Sequence, residues 1–151
     1  MPHIINGVSC RSKIESLQHI IDQAKKGEIG PNVIKGDPST LCYYQYSSGN
    51  NCAIGCLFSE AQLKQINNGD EWTDHNEEGI KGLAQYFGRK NVETVTGMEI
   101  KELEILQNTH DRELQAYWKD DQERVKNARQ AVIDKANEML EKALDEALAK
   151  V

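Results

Sequence analysis

The chain has 151 residues, of which 38% are hydrophobic and 28% are charged, and its formal net charge is -6. The length predicts one domain with a buried core, and the highly charged last third predicts an appendage to it. The acidic balance and the lack of a concentrated Lys/Arg patch argue against direct nucleic-acid binding. No apolar run in the sequence is long enough to cross a bilayer, so we expect a cytoplasmic protein without membrane contact.

The first predicted helix begins after Ser12, a favoured N-cap residue, and Glu15 stands in the capping-box position three residues later. Gly27 ends the helix, and a Pro- and Gly-containing loop follows over residues 28–40. The apolar residues of this helix recur at helical spacing, so one face should pack on the core: Ile14, Leu17, Ile20, Ile21 and Ala24.

Residues 41–46 are rich in aromatic and β-favouring side chains, and a strong turn signal follows over 47–51. This pattern predicts a short β-hairpin near 41–54, with a direct turn into a helix near Asn51 as the alternative. Strand alternation would place Tyr44 and Tyr46 on one face. We favour core or hairpin packing for them over stacking on bases.

The middle of the chain contains short helices over residues 60–66 and 80–87, separated by an acidic loop over 70–79 that carries Trp72 and His75. A solvated loop is the simpler interpretation, and the alternative is that Trp72 anchors a basic partner. Thr96, with Glu99 in the capping-box position, predicts the start of the next helix.

The last third of the sequence predicts one long amphipathic helix without Gly or Pro. We expect a globular domain over residues 1–118 and a protruding C-terminal helix over 119–151. The Ala-rich apolar stripe of that helix would serve as a self-association or partner-binding surface, or would fold back on its own domain. Its residues are Val125, Ala128, Val132, Ala136, Met139, Ala143 and Ala147, widened by Leu140, Leu144 and Leu148.

Two short motifs hold the most reactive side chains: C-A-I-G-C-L at residues 52–57 and L-Q-N-T-H-D at residues 106–111. A thiol becomes a nucleophile when a base stabilises its thiolate, so Cys52 and His110 are a candidate catalytic pair. Asp111 cannot easily orient His110, because adjacent side chains on a helix diverge by about 100°. We therefore favour the interpretation that the thiols and His110 are packed core residues.

A zinc site is a further alternative, and its four ligands would be Cys42, Cys52, Cys56 and His110. Structural zinc sites commonly have two closely spaced ligand pairs, whereas this chain has one. We expect free thiols, no metal and no cofactor. The glycine between the two thiols of the first motif, Gly55, predicts a close approach of two backbone segments.

A cysteine in C-A-[I/V]-G-x-L followed by L-Q-x-x-H-D resembles a group of small uncharacterised bacteriophage and prophage proteins, and the resemblance covers Tyr43 to Asp111. It implies a phage setting and an intracellular location, which for a phage protein is the host cytoplasm. It implies no particular activity.

These observations together predict a mainly α protein: a small helical domain with a short hairpin and a long C-terminal helix. We expect a non-enzymatic phage-type accessory protein that binds and modulates a host or phage macromolecule, in host takeover or against a defence system. The alternatives are a cysteine-dependent hydrolase or transferase, a small-ligand sequestering protein, and a structural oligomer. Partners would be another protein and a second copy through residues 121–151. The candidate binding residues are Tyr44, Tyr46, Trp72, His75, His110 and Asp111.

Overall fold

The computed structural model describes residues 10–27, 29, 55–58, 84, 87–114 and 121–150. This part of the chain contains four α-helices, one short 3₁₀ helix and no β-strand. The mainly α prediction is therefore confirmed, whereas the predicted hairpin near 41–54 lies outside the described residues. The helices are α1 (Lys13–Lys25), the 3₁₀ helix (Gly55–Leu57), α2 (Arg89–Thr96), α3 (Ile100–Leu114) and α4 (Asp121–Ala149).

Helix α1 begins and ends as its sequence predicts. The backbone N–H of Glu15 donates to Ser12 Oγ at 3.1 Å, and the Ser12 N–H donates to Glu15 Oε1 at 3.1 Å. These two hydrogen bonds form the predicted capping box and satisfy backbone donors that the first turn leaves free. At the other end Gly27 has φ +75°, the left-handed conformation that commonly follows a helix.

The start of α3 differs from the prediction. Thr96 is the last residue of α2, and its hydroxyl donates to Val92 O at 2.9 Å within the same helix. Helix α3 begins only at Ile100, where Glu102 accepts a hydrogen bond from the Glu99 N–H at 3.0 Å. The predicted cap at Thr96 was wrong because this hydroxyl is used before α3 begins. It donates back to its own helix and accepts from the Met98 N–H at 3.2 Å, and Met98 belongs to the turn that precedes α3.

Helix α4 runs antiparallel to both α1 and α3. Lys13, at the start of α1, lines one groove together with Glu99 near the start of α3 and Glu146 near the end of α4. The end of α1 lines a separate groove with residues 126–133 of α4. The beginnings of α1 and α3 are also joined directly, since Lys13 Nζ lies 2.9 Å from Glu102 Oε2.

The buried core includes residues of all these elements. Leu17, Ile20, Leu57, Phe87, Leu103, Leu106, Val132 and Ala136 are among its most deeply buried members. Burial of apolar side chains such as these is the main stabilising contribution to a helical fold. Helix α4 therefore belongs to the same packed core as α1 and α3.

The position of α4 corrects the expectation of a protruding helix over most of its length. Side chains from Arg124 to Ala143 bury one face of α4 against the domain, whereas residues 144–150 are all exposed. At about 1.5 Å per residue, the 29 residues of α4 extend well past the 13 of α1 and the 15 of α3.

Candidate interaction surface

The described end of the first motif and the residue that follows it are buried in the core. Cys56, Leu57 and Phe58 expose 7%, 1% and 5% of their surfaces. The ring of Phe58 stacks on that of Phe87, with the centroids 6.2 Å apart. Aromatic pairs of this kind add to the stabilisation from buried area alone. The interpretation of this motif as a packing element is therefore supported at Cys56 and its two successors.

Two side chains from the first helical region hold the 3₁₀ helix in place. Arg11 Nη1 donates to Leu57 O at 2.8 Å, and His19 Nε2 lies 3.1 Å from Cys56 O. Burial, followed by the positive charge of Arg11, lowers the pKa of His19 below its ordinary value, while the Cys56 carbonyl and Asp22 act in the opposite direction. The sequence analysis missed both residues. His19 stands beside the apolar face of α1, which is the one local signal that could have indicated a role.

The second motif points its central residues inward. Leu106 and His110 have no exposed surface, and Gln107 exposes 4%. Leu106 belongs to the same core as Leu57, so the structure brings described residues of both motifs into one packed region. Full burial of His110 agrees with a core histidine and disfavours a general base that must reach a substrate from solvent.

The remaining candidate residues fall outside the described part of the chain. They are Cys42, Tyr44, Tyr46, Cys52, Trp72 and His75, and the side chain of Asp111 is also outside it. The catalytic pair of Cys52 with His110 and the four-ligand zinc set therefore stay hypotheses. Among the residues that are described, no group of three His, Cys, Asp or Glu side chains could hold a metal ion. Of the two described cysteines, Cys10 is exposed and Cys56 is buried.

The apolar stripe of α4 is divided into a covered and an uncovered part. Val125, Ala128, Val132, Ala136 and Ala143 are buried against the chain's own helices. Leu144 and Leu148 are 41% and 72% exposed, which makes them two of the three large apolar side chains on the described surface that are clearly exposed. The side of the helix on which they stand explains the division. Leu144 follows the exposed Asn137 by seven residues, and Leu148 follows the exposed Glu141 by seven, so both leucines lie on the side of α4 that is exposed farther back along the helix.

The two leucines lie in a compact patch with two carboxylates. Glu141, Leu144, Asp145 and Leu148 stand at positions i, i+3, i+4 and i+7, so they share one side of the helix, and all four are exposed. We call these four residues the C-terminal patch. The ion pairs found among the described residues involve neither of its carboxylates.

A shallow groove of about 520 Å³ runs between α3 and α4 on another side of the molecule. Ile105, Met139 and Ala143 contribute its apolar surface. Its rim carries four lysines and four glutamates, and two ion pairs between them are formed within the chain: Lys13 with Glu102 at 2.9 Å and Lys135 with Glu138 at 3.4 Å. The side chains of Lys13 and Glu102 are half-buried, whereas Glu138 is exposed, and a pair with an exposed partner contributes little stability.

A third groove lies between the end of α1 and the first half of α4. It is lined by Lys25, Lys126 and Arg129 beside Ala24 and Ile133. The Arg129 side chain also contacts a residue that follows α1, since its Nε donates a hydrogen bond to Ile29 O at 2.7 Å. The sequence could have indicated this role, since Arg129 stands four residues from both Val125 and the buried Ile133 and so borders the apolar face.

No protein-family model, no curated protein and no solved structure matches this chain. The described helices include none that is long and apolar enough to cross a membrane. Among the described residues, the C-terminal patch holds two of the three large apolar side chains that the fold leaves exposed.

Proposed function

We propose that this protein is a phage-type accessory protein that binds and modulates a host or phage macromolecule without catalysing a reaction. It acts in the host cytoplasm, in host takeover or against a defence system. The observation that carries the proposal is the exposure of Leu144 and Leu148 at the end of α4. The resemblance of residues 43–111 to phage and prophage proteins supports the setting.

The exposed leucines favour binding because 41% of the surface of Leu144 and 72% of that of Leu148 remain for a partner to cover. Burying a leucine side chain is worth about 1.5 to 3 kcal/mol, so covering both would stabilise a complex substantially. Helix α4 is already held by its buried residues from Arg124 to Ala143. The last two turns are therefore available for a contact with another protein.

The sequence left three alternative functions open, and the geometry supports each of them less. Self-association through residues 121–151 would have to use the exposed residues of α4, because its buried stripe packs on the chain itself. A small-ligand protein would bind between the two motifs, where the described residues are packed. A cysteine-dependent enzyme would need His110 to become accessible, and His110 is fully buried.

Affinity capture from a phage-infected host lysate tests the proposal. The full-length chain should retain a defined partner, and Leu148→Gln should abolish that capture. Lys126→Gln is the matched control, because it introduces the same residue at another exposed position of α4 and should have no effect. Equal capture by the wild-type chain and Leu148→Gln would show that the end of α4 is not the binding surface.

Alkylation of the folded protein with iodoacetamide, resolved by residue with mass spectrometry, separates the binding function from the enzyme. A nucleophilic Cys52 would react rapidly near neutral pH, and His110→Ala would slow that reaction. Under the proposed function, the reaction at Cys52 does not depend on His110. Rapid, His110-dependent modification would favour the hydrolase or transferase instead.

A further inference from the structure

We infer that the C-terminal patch receives a basic amphipathic segment of a different protein, in which Lys or Arg residues stand beside large apolar ones. This inference rests on the proposed function and specifies the chemistry of the partner. The patch offers two leucines for apolar contact and two carboxylates for ion pairing, all exposed on one side of α4. A helix with leucines at i, i+3, i+4 and i+7 and lysines on either side matches both features.

The charge of the patch and of its surroundings supports this occupant. Glu141 and Asp145 lie beside the two leucines, and Asp134 continues the row of carboxylates towards the middle of α4. The nearby Lys142 lines the α3–α4 groove, on another side of the helix. Because the whole chain carries a net charge of -6, its long-range field also attracts a basic partner.

A second copy of the chain fits the same patch less well. A two-fold symmetric dimer places the same surface of both copies in contact. In an antiparallel helix pair centred on Leu144, the side that carries Glu141 and Asp145 would face the same side of the other helix. Like charges would then be brought together across the contact. The net charge of each copy adds to this repulsion.

Nucleic acid and anionic membranes are excluded as occupants by the same charges. Both present phosphate groups, which the carboxylates of the patch repel, and their usual protein surfaces are rich in Lys and Arg. The C-terminal patch is negatively charged, unlike those surfaces. A basic protein segment, in contrast to a second copy, a nucleic acid or a membrane, satisfies the leucines and the carboxylates together.

Binding of three designed helical peptides to the full-length chain, measured by fluorescence anisotropy, tests the inference. The first peptide has a leucine stripe flanked by lysines. The second has glutamates in place of the lysines, and the third has serines in place of the leucines. We expect the first peptide to bind at least about tenfold more tightly than the others, with an affinity that falls as salt is raised.

Two variants of the chain show whether the patch is the site. Leu148→Gln should weaken binding of the Leu/Lys peptide at least about tenfold, with Lys126→Gln as the control. Glu141→Lys combined with Asp145→Lys should weaken it at least as much. Its control combines Asp22→Lys with Glu104→Lys, which changes the net charge equally at two exposed positions elsewhere. Circular dichroism should show unchanged helix content in all variants.

Several outcomes would overturn the inference. Equal loss of binding with both charge-reversal variants would show a non-specific attraction of a basic peptide to an acidic protein. A full-length dimer in sedimentation velocity that Leu148→Gln dissociates would identify a second copy as the occupant. If Leu148→Gln abolishes capture from the lysate while charge reversal at Glu141 and Asp145 does not, the proposed function holds and the basic partner is wrong. If Leu148→Gln leaves that capture intact, the end of α4 is not the binding surface, and the proposed function loses the observation that carries it.

Discussion

A Cβ atom on Gly97 would lie 2.5 Å from the backbone carbonyl oxygen of Arg11. The turn between α2 and α3 is thus pressed against the chain that leads into α1, and Arg11 N–H also donates to Val95 O at 2.9 Å. Gly97 has φ +69° as well, a conformation that costs other residues about 1 to 2 kcal/mol. The close backbone approach expected at Gly55 is found at Gly97, while the expectation for Gly55 itself stays a prediction.

Gly97→Ala should therefore lower the free energy of unfolding by two separate effects. We expect about 1 to 2 kcal/mol from the backbone conformation and roughly 1 to 3 kcal/mol more from overpacking. Gly27→Ala is the matched control, because Gly27 also has positive φ but its added Cβ would meet only the flexible end of Arg129, at 3.4 Å. Chemical denaturation measures both, and equal losses would contradict the close approach at Gly97.

Ser16→Ala should destabilise the contact between α1 and the end of α2. The buried Ser16 hydroxyl donates to Thr96 O at 2.6 Å, across 80 residues of sequence. Removing the donor leaves a buried carbonyl without this bond, at a cost of about 1 to 3 kcal/mol in unfolding free energy. Thr109→Ala is the control, since its hydroxyl bonds only Ile105 O within its own helix at an exposed site. A loss for Ser16→Ala no larger than that for Thr109→Ala would contradict the importance of this bond.

Arg129→Met should loosen the chain segment that follows α1. The substitution keeps an apolar stem but removes the donor to Ile29 O, and Ile29 is fully buried. A hydrogen bond from a charged group contributes about 1.5 to 3 kcal/mol, so a loss of this order is expected in thermal or chemical unfolding. Lys126→Met, at an exposed position of the same helix, should change stability by at most about 0.5 kcal/mol. Similar effects of both substitutions would show that the bond to Ile29 is not important.

The stability of the fold should decrease as the pH falls below the ordinary pKa of histidine. Because burial lowers the pKa of His19 in the folded state, the unfolded chain binds a proton more readily there. The stability that depends on neutral His19 is fully present above about pH 6.5 and is lost progressively down to the folded-state pKa. NMR titration of the His19 ring should give a midpoint below that of an unfolded peptide.

His19→Gln provides the control for this pH dependence. The glutamine amide can still donate to Cys56 O, but it does not titrate, so the variant should lose the share of the pH dependence that comes from His19. A His19 midpoint at or above the ordinary value would contradict the prediction. So would a variant whose unfolding free energy keeps the full pH dependence of the wild-type chain.

Local sequence signals were sufficient where the stabilising contacts are themselves local. The capping box of Ser12 and Glu15 and the stop at Gly27 depend on residues within one or two turns, so the bounds of α1 could be predicted. Thr96 was misassigned because its hydroxyl bonds to Val92 O behind it and to the Met98 N–H ahead of it, within the turn between α2 and α3. The position of this turn also depends on a distant residue, since the Thr96 carbonyl accepts from the Ser16 hydroxyl, 80 residues away.

The candidate site was predicted only in outline for the same reason. The sequence indicated that α4 has an apolar stripe, but it could not show whether the chain itself or another protein covers that stripe. Residues such as Arg11, His19 and Arg129 have roles that depend on backbone carbonyls distant in sequence, at Leu57, Cys56 and Ile29. Every residue has a backbone carbonyl, so the sequence does not show which one accepts such a hydrogen bond.

The sequence by itself determined that this protein is mainly α-helical and where α1 begins and ends. It also determined that the last described element is a long amphipathic helix. Helical periodicity and end-capping are properties of neighbouring residues, and they require no knowledge of the rest of the fold. Only the tertiary structure decided which part of α4 is buried. Helices α1 and α3 both pack on the side of α4 that carries Val132 and Ala136, whereas Leu144 and Leu148 stand on another side and stay exposed.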